Sequence, residues 1–286
     1  MQAIFSEKYL SIEGDYLSNL LINNRYNSFV GADVKVPEVQ MKSIENNLDS
    51  KALSYYLDIN TEAVKGGFVA IIPVEGTLSR NMDYGGVSTN WLKTQIAYAA
   101  GNANVISIVL KISSPGGAVN GVSEVVAEMN ASKKPILSYI SYCGCSGAYL
   151  IASQGQEVWI DSAKTTAVGS VGVYSVLISQ FEMMQNAGIK AKILRFPENK
   201  ALLHPYEALD ENDPMIKAAI DKEMMVVKMM REEMLSMIVS KRPQVAAIDG
   251  DVYYGREAIR LNLADKVGSF DAAITRAAFL GLQAKV

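Results

Sequence analysis

Residues 142–153, Y-C-G-C-S-G-A-Y-L-I-A-S, set a serine, Ser146, among small residues, between a strand-like segment and an apolar helical one. A hydroxyl there can simply cap the helix that follows. It can also be a nucleophile on a tight turn. The chemistry would then be acyl transfer, with a base to take the hydroxyl proton and N–H donors to hold the oxyanion. Gly144, Gly147 and Ala148 leave room for a substrate backbone. G-C-S-G-A comes close to a G-x-S-x-G elbow, with its second glycine one position early.

Two side chains offer themselves as the base. His204 is the only histidine, and it lies in the polar loop F-P-E-N-K-A-L-L-H-P-Y-E-A-L-D-E-N-D with no local residue marked as its partner. Lys200 precedes it by four positions. A lysine accepts a proton only when neutral, which takes burial or a cationic neighbour. Bound substrate together with Phe196, Leu202 and Leu203 would supply part of that dryness. The stretch S-S-P-G-G (113–117) adds a plausible oxyanion nest: Pro115 fixes its own φ, and Gly116 and Gly117 leave backbone N–H groups accessible. The same nest would suit phosphate, but no Walker sequence or complete G-x-G-x-x-G accompanies it, which argues against a nucleotide. The two cysteines, Cys143 and Cys145, flank a single residue. That spacing disfavours a disulfide, and no histidine or second cysteine pair completes a metal site. Free thiols suit a reducing cytoplasm.

These groups need elements to position them. The 286 residues are 49% hydrophobic, enough for a substantial core. A net charge of −3 argues against nucleic acid as the main partner. No run approaches the roughly 18 apolar residues of a membrane span. The N-terminus lacks a basic-then-apolar signal, so the chain is expected to be cytoplasmic and without a membrane anchor. Residues 1–65, rich in Asn, Ser and Tyr, read as an N-terminal arm or appendage with helical stretches over Tyr16–Leu21 and Ile44–Leu57 and a loop between them; the catalytic part would span 66–286.

From residue 68 onward strand and helix patterns alternate. Strands are predicted over 68–76, 105–112, 135–141, 157–161 and 190–196, with a glycine-punctuated strand or turn over 167–174. Helices are predicted over 89–102, 118–132, from about Ser146, over 178–189 and from about Asp213 to Lys241, with a short strand and one or two helices beyond. Such alternation implies an α/β fold with a mostly parallel sheet and ligand sites at the carboxyl ends of its strands. The long helix holds Met215, Met224, Met225, Met229, Met230, Met234 and Met237, a composition suited to core packing or to a subunit contact.

Six stretches in order resemble the signal-peptide-peptidase-A serine proteases, which include head-maturation proteases of tailed bacteriophages: I-P-V-E-G-T-L (72–78), S-P-G-G (114–117), C-S-G-A-Y-L-I-A-S (145–153), A-V-G-S-V-G-V-Y (167–174), N-K-A-L-L-H-P-Y (199–206) and D-V-Y-Y-G-R-E-A-I-R-L-N-L-A-D-K-V-G (251–268). In the last, Asn262 stands where the family usually has glycine, a helix-end position that asparagine tolerates. The resemblance implies a ClpP/crotonase-like fold of repeated β-β-α units and a Ser-Lys dyad without a cofactor. Ser146 would be the nucleophile, Lys200 the base and Ser170 a serine that holds the lysine. The backbone N–H of Gly117 with that of Ser146 would form the oxyanion hole, and Gly116 and Gly147 would line it. The loop before the base departs from the family's S-G-x-x-K and reads F-P-E-N-K. His204 becomes a bystander. The implied substrate is a polypeptide bound extended beside S-P-G-G, and the implied assembly is a homo-oligomer. Pro205-Tyr206 matches the phage branch, so a capsid or scaffold protein is the expected substrate. A housekeeping peptidase acting on signal peptides, or an inactive binding or shell protein of crotonase fold, are the other readings.

Overall fold

A computed structural model describes residues 9–12, 40–43, 67–81, 86–245 and 248–284. The helical stretches expected over Tyr16–Leu21 and Ile44–Leu57 lie outside the described residues. Two short strands of the arm are described instead, β1 (Tyr9–Ile12) and β2 (Gln40–Ser43).

The main sheet is built on β3 (Phe68–Glu75), β6 (Val105–Ser114) and β8 (Ile136–Cys145), which run parallel side by side. β2 closes one side antiparallel to β3. On the other side β8 is shared. Its first half pairs with β9 (Glu157–Ile160), and its last residues pair with β10 (Ala167–Gly169), both parallel. β12 (Val252–Tyr254) then pairs antiparallel with β10, and β13 (Lys266–Val267) parallel with β9. The smaller sheet runs in the order β11 (Tyr174–Ser175), β1, β7 (Gly116–Ala118), β4 (Leu78–Ser79), β5 (Val87–Ser88).

Alternation along the strands makes two cores, because successive side chains leave a strand on opposite faces. Val69 and Ile71, Ile106, Leu137 and Trp159 pack on helix α7 (Phe270–Gln283) through Ala273, Ile274, Ala277 and Ala278. Ala70, Ile72 and Val74, with Ile108, Leu110 and Ile112, face α1 (Thr89–Gly101), α2 (Val122–Ala131) and α3 (Gly147–Ser153). This is the α/β arrangement read from the sequence. Short helices α4 (Phe181–Asn186) and α6 (Gly255–Arg260) flank the long α5 (Pro214–Lys241) in the chain. Asp213 caps α5 by accepting from the Met215 N–H, and Pro214 takes the first helical position, where its missing N–H costs nothing. Asn262, just past α6, has φ 59°, the left-handed conformation expected of a glycine substitute there.

One predicted strand is absent. Residues 190–196 are irregular and largely exposed. Lys-Ala-Lys-Ile-Leu-Arg-Phe has strand propensity, but among the described residues no neighbouring strand pairs with it, and propensity without a ladder does not make a strand. No described helix is long and apolar enough to cross a membrane.

Candidate active site

β8 ends at Cys145, α3 begins at Gly147, and Ser146 makes the turn between them with φ 54° and ψ −125°. A non-glycine residue in such a conformation costs about 1–3 kcal/mol and persists only where its surroundings hold it. Here they do. The Ser146 N–H donates to the Gly169 carbonyl at 2.7 Å, and the Ser146 carbonyl accepts from the Leu150 N–H at 2.9 Å. The Ser146 Oγ donates to the Gly172 carbonyl at 3.3 Å, and the residue is only 1% exposed. Behind it, Tyr149 is fully buried and donates its hydroxyl to the Leu263 carbonyl at 3.0 Å; burial pushes that phenol well above its ordinary range.

With Ser146 N–H committed to Gly169, the next donor along the turn is the Gly147 N–H, which as the first residue of α3 has no intrahelical acceptor.

The S-S-P-G-G stretch joins β6 to β7 beside this turn. Ser114 lies opposite Gly144 in the main sheet. Gly116 has φ 97°, and its N–H donates to the buried Ser114 Oγ at 3.2 Å. Gly117 packs against β4 so closely that a Cβ would lie 2.1 Å from the Leu78 carbonyl oxygen, so only glycine fits.

The third wall follows β10. Gly169 and Ser170 both have positive φ, 108° and 50°, and the Ser170 N–H donates to the Asp251 carbonyl at 2.7 Å. Sequence reasoning missed the Gly169 and Gly172 carbonyls that hold Ser146, and Asp251 that holds Ser170. The glycines of G-S-V-G were the available signal; nothing marked Asp251. Next to Gly147 opens a mostly apolar pocket of about 60 Å³ lined by Val122, Leu150, Val173, Met230 and Met234, with Ser123 and Glu233 also in its wall.

Lys200 is exposed. It lies on a turn where its N–H donates to the Pro197 carbonyl at 3.0 Å, and its side chain makes no hydrogen bond or ion pair with a described residue. The loop around it is tied to itself. Arg195 pairs with Glu207, the Gln180 N–H donates to the Pro205 carbonyl, and the Ser179 hydroxyl to the Glu207 carbonyl at 2.6 Å. The same loop exposes Leu194 by 84% and Phe196 by 94%. His204 Nδ1 accepts from the Tyr206 N–H at 3.1 Å, and its ring packs edge-on against Tyr206, so it has local partners that its sequence context did not announce. Neither cysteine forms a disulfide with a described residue; Cys145 is buried and Cys143 half-buried.

Residues 128–283 match the family model described as "Peptidase family S49". The chain is 26% identical over 246 residues to "Protease 4" of Salmonella typhi, an alignment covering 82% of this chain and 38% of that protein. It is 24% identical over 218 residues to "Protease 4" of Haemophilus influenzae, covering 73% of this chain and 34% of that one. The chain thus spans little more than a third of the length of these two relatives.

Proposed function

The chain belongs to peptidase family S49, and from that membership we propose that it is a serine endopeptidase working through Ser146 and Lys200. As Ser146 Oγ bonds to the peptide carbonyl carbon, its proton passes to the Lys200 Nζ. The carbonyl electrons move onto oxygen, where the N–H groups of Gly117 and Gly147 hold the charge. Collapse of this intermediate breaks the C–N bond, and the departing amine takes the proton from Lys200. Water then repeats the cycle on the acyl-serine and restores the hydroxyl. Ser170 orients the lysine amine, and Gly116 lets the substrate backbone approach.

The observation that carries this reading is Ser146 itself: buried, in a costly backbone conformation, and held there by Gly169 and Leu150 at the carboxyl end of a parallel strand. The pocket beside Gly147 suits a small apolar side chain next to the scissile bond.

Lys200 reaches a serine by assembly. A loop that leaves Phe196 and Leu194 in water is a surface waiting for another subunit, and the exposed Met224, Met225 and Met229 of α5 add to it. Homo-oligomerisation would bury this loop and dry the amine. Pro205-Tyr206 after the base supports the phage head-maturation branch, with a capsid or scaffold protein as substrate. A fluorophosphonate probe tests the core of the proposal. Labelling of the wild type and not of Ser146→Ala is expected; equal labelling of both refutes it. Cleavage of scaffold protein rather than of signal peptides tests the branch.

A further inference from the structure

β1 does not pack on the outside of the smaller sheet. It lies between β7 and β11 and pairs antiparallel with both. On one side Leu10, Ser11 and Ile12 lie opposite Ala118, Gly117 and Gly116. On the other, Tyr9 and Leu10 lie opposite Ser175 and Tyr174. Both walls lead directly to the nucleophile. Gly172, which accepts from Ser146 Oγ, is two residues before Tyr174, and Ser114, opposite Gly144, is two residues before Gly116.

The lane between β7 and β11 runs along the S-P-G-G stretch where an extended substrate is expected, and we propose that its resident occupant is the chain's own segment Tyr9–Ile12. This rests on the peptidase reading of the site. Four observations carry it. The lane pairs an extended strand on both sides by main-chain bonds, a mode of recognition that tolerates varied sequences. The strand's polarity carries its C-terminal end, Ile12, to Gly116, beside the Gly117 donor, so the segment enters as the amino-terminal side of a substrate would. β1 is the strand that joins β11 to the rest of its sheet, so the lane is completed by what fills it. The occupant is tethered, and a tether gives an effective concentration on the order of millimolar. A polypeptide substrate therefore has to displace β1 before it reaches Ser146.

The test uses the full chain with Ser146→Ala, alone and combined with Leu10→Pro and Ser11→Pro. The prolines remove two N–H donors from β1 and leave every residue of the cleft intact. The probe is a fluorescent peptide of this chain's residues 6–15, read by anisotropy. If β1 fills the lane in most molecules, the apparent affinity of the Ser146→Ala chain is reduced by the open fraction, and the proline variant binds about tenfold more tightly. Equal binding, including no binding to either, overturns the proposal. Hydrogen exchange is the second measurement. Amides of 9–12 exchanging as fast as in the free peptide overturn it as well; slowed exchange supports it. Both readouts come from protein that cannot hydrolyse. A Leu10→Pro and Ser11→Pro chain that keeps Ser146 and still shows no Ser146-dependent hydrolysis, alongside a clear proline effect on binding, would sink the peptidase reading and leave the occupied lane standing.

Discussion

The Ser146 N–H donates to the Gly169 carbonyl across 2.7 Å, so the place of the hydroxyl is set by a residue on a different strand. Gly169 has φ 108°, and a Cβ there would lie 2.9 Å from the Asp251 carbonyl oxygen and 3.0 Å from the Tyr253 ring. Gly169→Ala should therefore cost about 1–3 kcal/mol of stability through backbone strain. It should also move Ser146 and slow fluorophosphonate labelling more than tenfold, roughly the loss that small misplacements of reacting groups bring. Urea denaturation and labelling kinetics check the two effects. Labelling at the wild-type rate in a folded variant would disprove the coupling.

Arg242 grips Asp265 with two N–H···O bonds of 2.7 and 3.0 Å, and its Nε donates to the Asn262 carbonyl. Burial alone would pull the guanidinium down, and the bonds to Asp265, followed by Tyr149, outweigh it and raise it. Asp265 also accepts from the Val158 N–H at 2.7 Å, so this pair ties the end of α5 to β9 and to the floor under Tyr149. Asp265→Ala strands a buried cation. The expected loss is about 2–4 kcal/mol, below that of a fully buried pair because the Asp265 side chain is 41% exposed. A shift in urea midpoint at constant slope measures it.

The Tyr253 hydroxyl donates to Asp249 Oδ1 at 2.8 Å, and that bond, with burial second, pushes the phenol up to about 12. The same bond, with the Asp251 N–H, holds the Asp249 carboxyl below its usual range. The signs follow from linkage. The raised tyrosine stabilises fully below about pH 10 and loses that contribution as pH climbs through about 12. The lowered aspartate contributes above about pH 4 and loses it on acidification. Ultraviolet titration of tyrosinate should show several late-ionising tyrosines, Tyr149 and Tyr139 among them through burial, and Asp249→Asn should bring one of the group, Tyr253, back toward about 10. An unmoved titration would exclude Asp249 as the cause.

Lys200→Ala should abolish peptide hydrolysis, while His204→Ala, which removes only contacts to Tyr206, should leave it within about twofold, as surface changes away from a site generally do. Paired with these, Leu194→Ser and Phe196→Ser should lower specific activity most at low protein concentration, the outcome required by the proposed delivery of Lys200 through assembly. Activity independent of concentration across the dissociation range would count against delivery by a neighbour.

Much of the fold was legible because its strands are buried on both faces and its helices carry clean stripes. Phe68–Glu75, Val105–Ser114 and the helix from Pro214 appear close to where periodicity put them. The turn at Ser146 was legible from its small neighbours and its place between strand and helix. The bond from the Ser146 N–H to Gly169 was not legible, because it is a contact between strands that no local pattern encodes. Residues 190–196 misled for the same reason: a strand needs a partner, and sequence shows propensity rather than partners. The arm was harder still. Tyr9–Ile12 carries no motif, and its position between β7 and β11 comes from backbone pairing, to which side-chain identity contributes little.

β8 serves two masters along one edge: Leu137–Ile140 lie against β9 in the packed interior, and Cys143–Cys145 lie against β10 at the threshold of Ser146. A bulge lies between the two halves: Tyr142 has φ 71°, and the register against β6 shifts between Ile112 and Ser114. That kink lies just before Ser146 in the chain, so it is the joint at which looseness in the packed half is absorbed or passed on: straightening it should disturb the serine while the molecule still looks intact to circular dichroism.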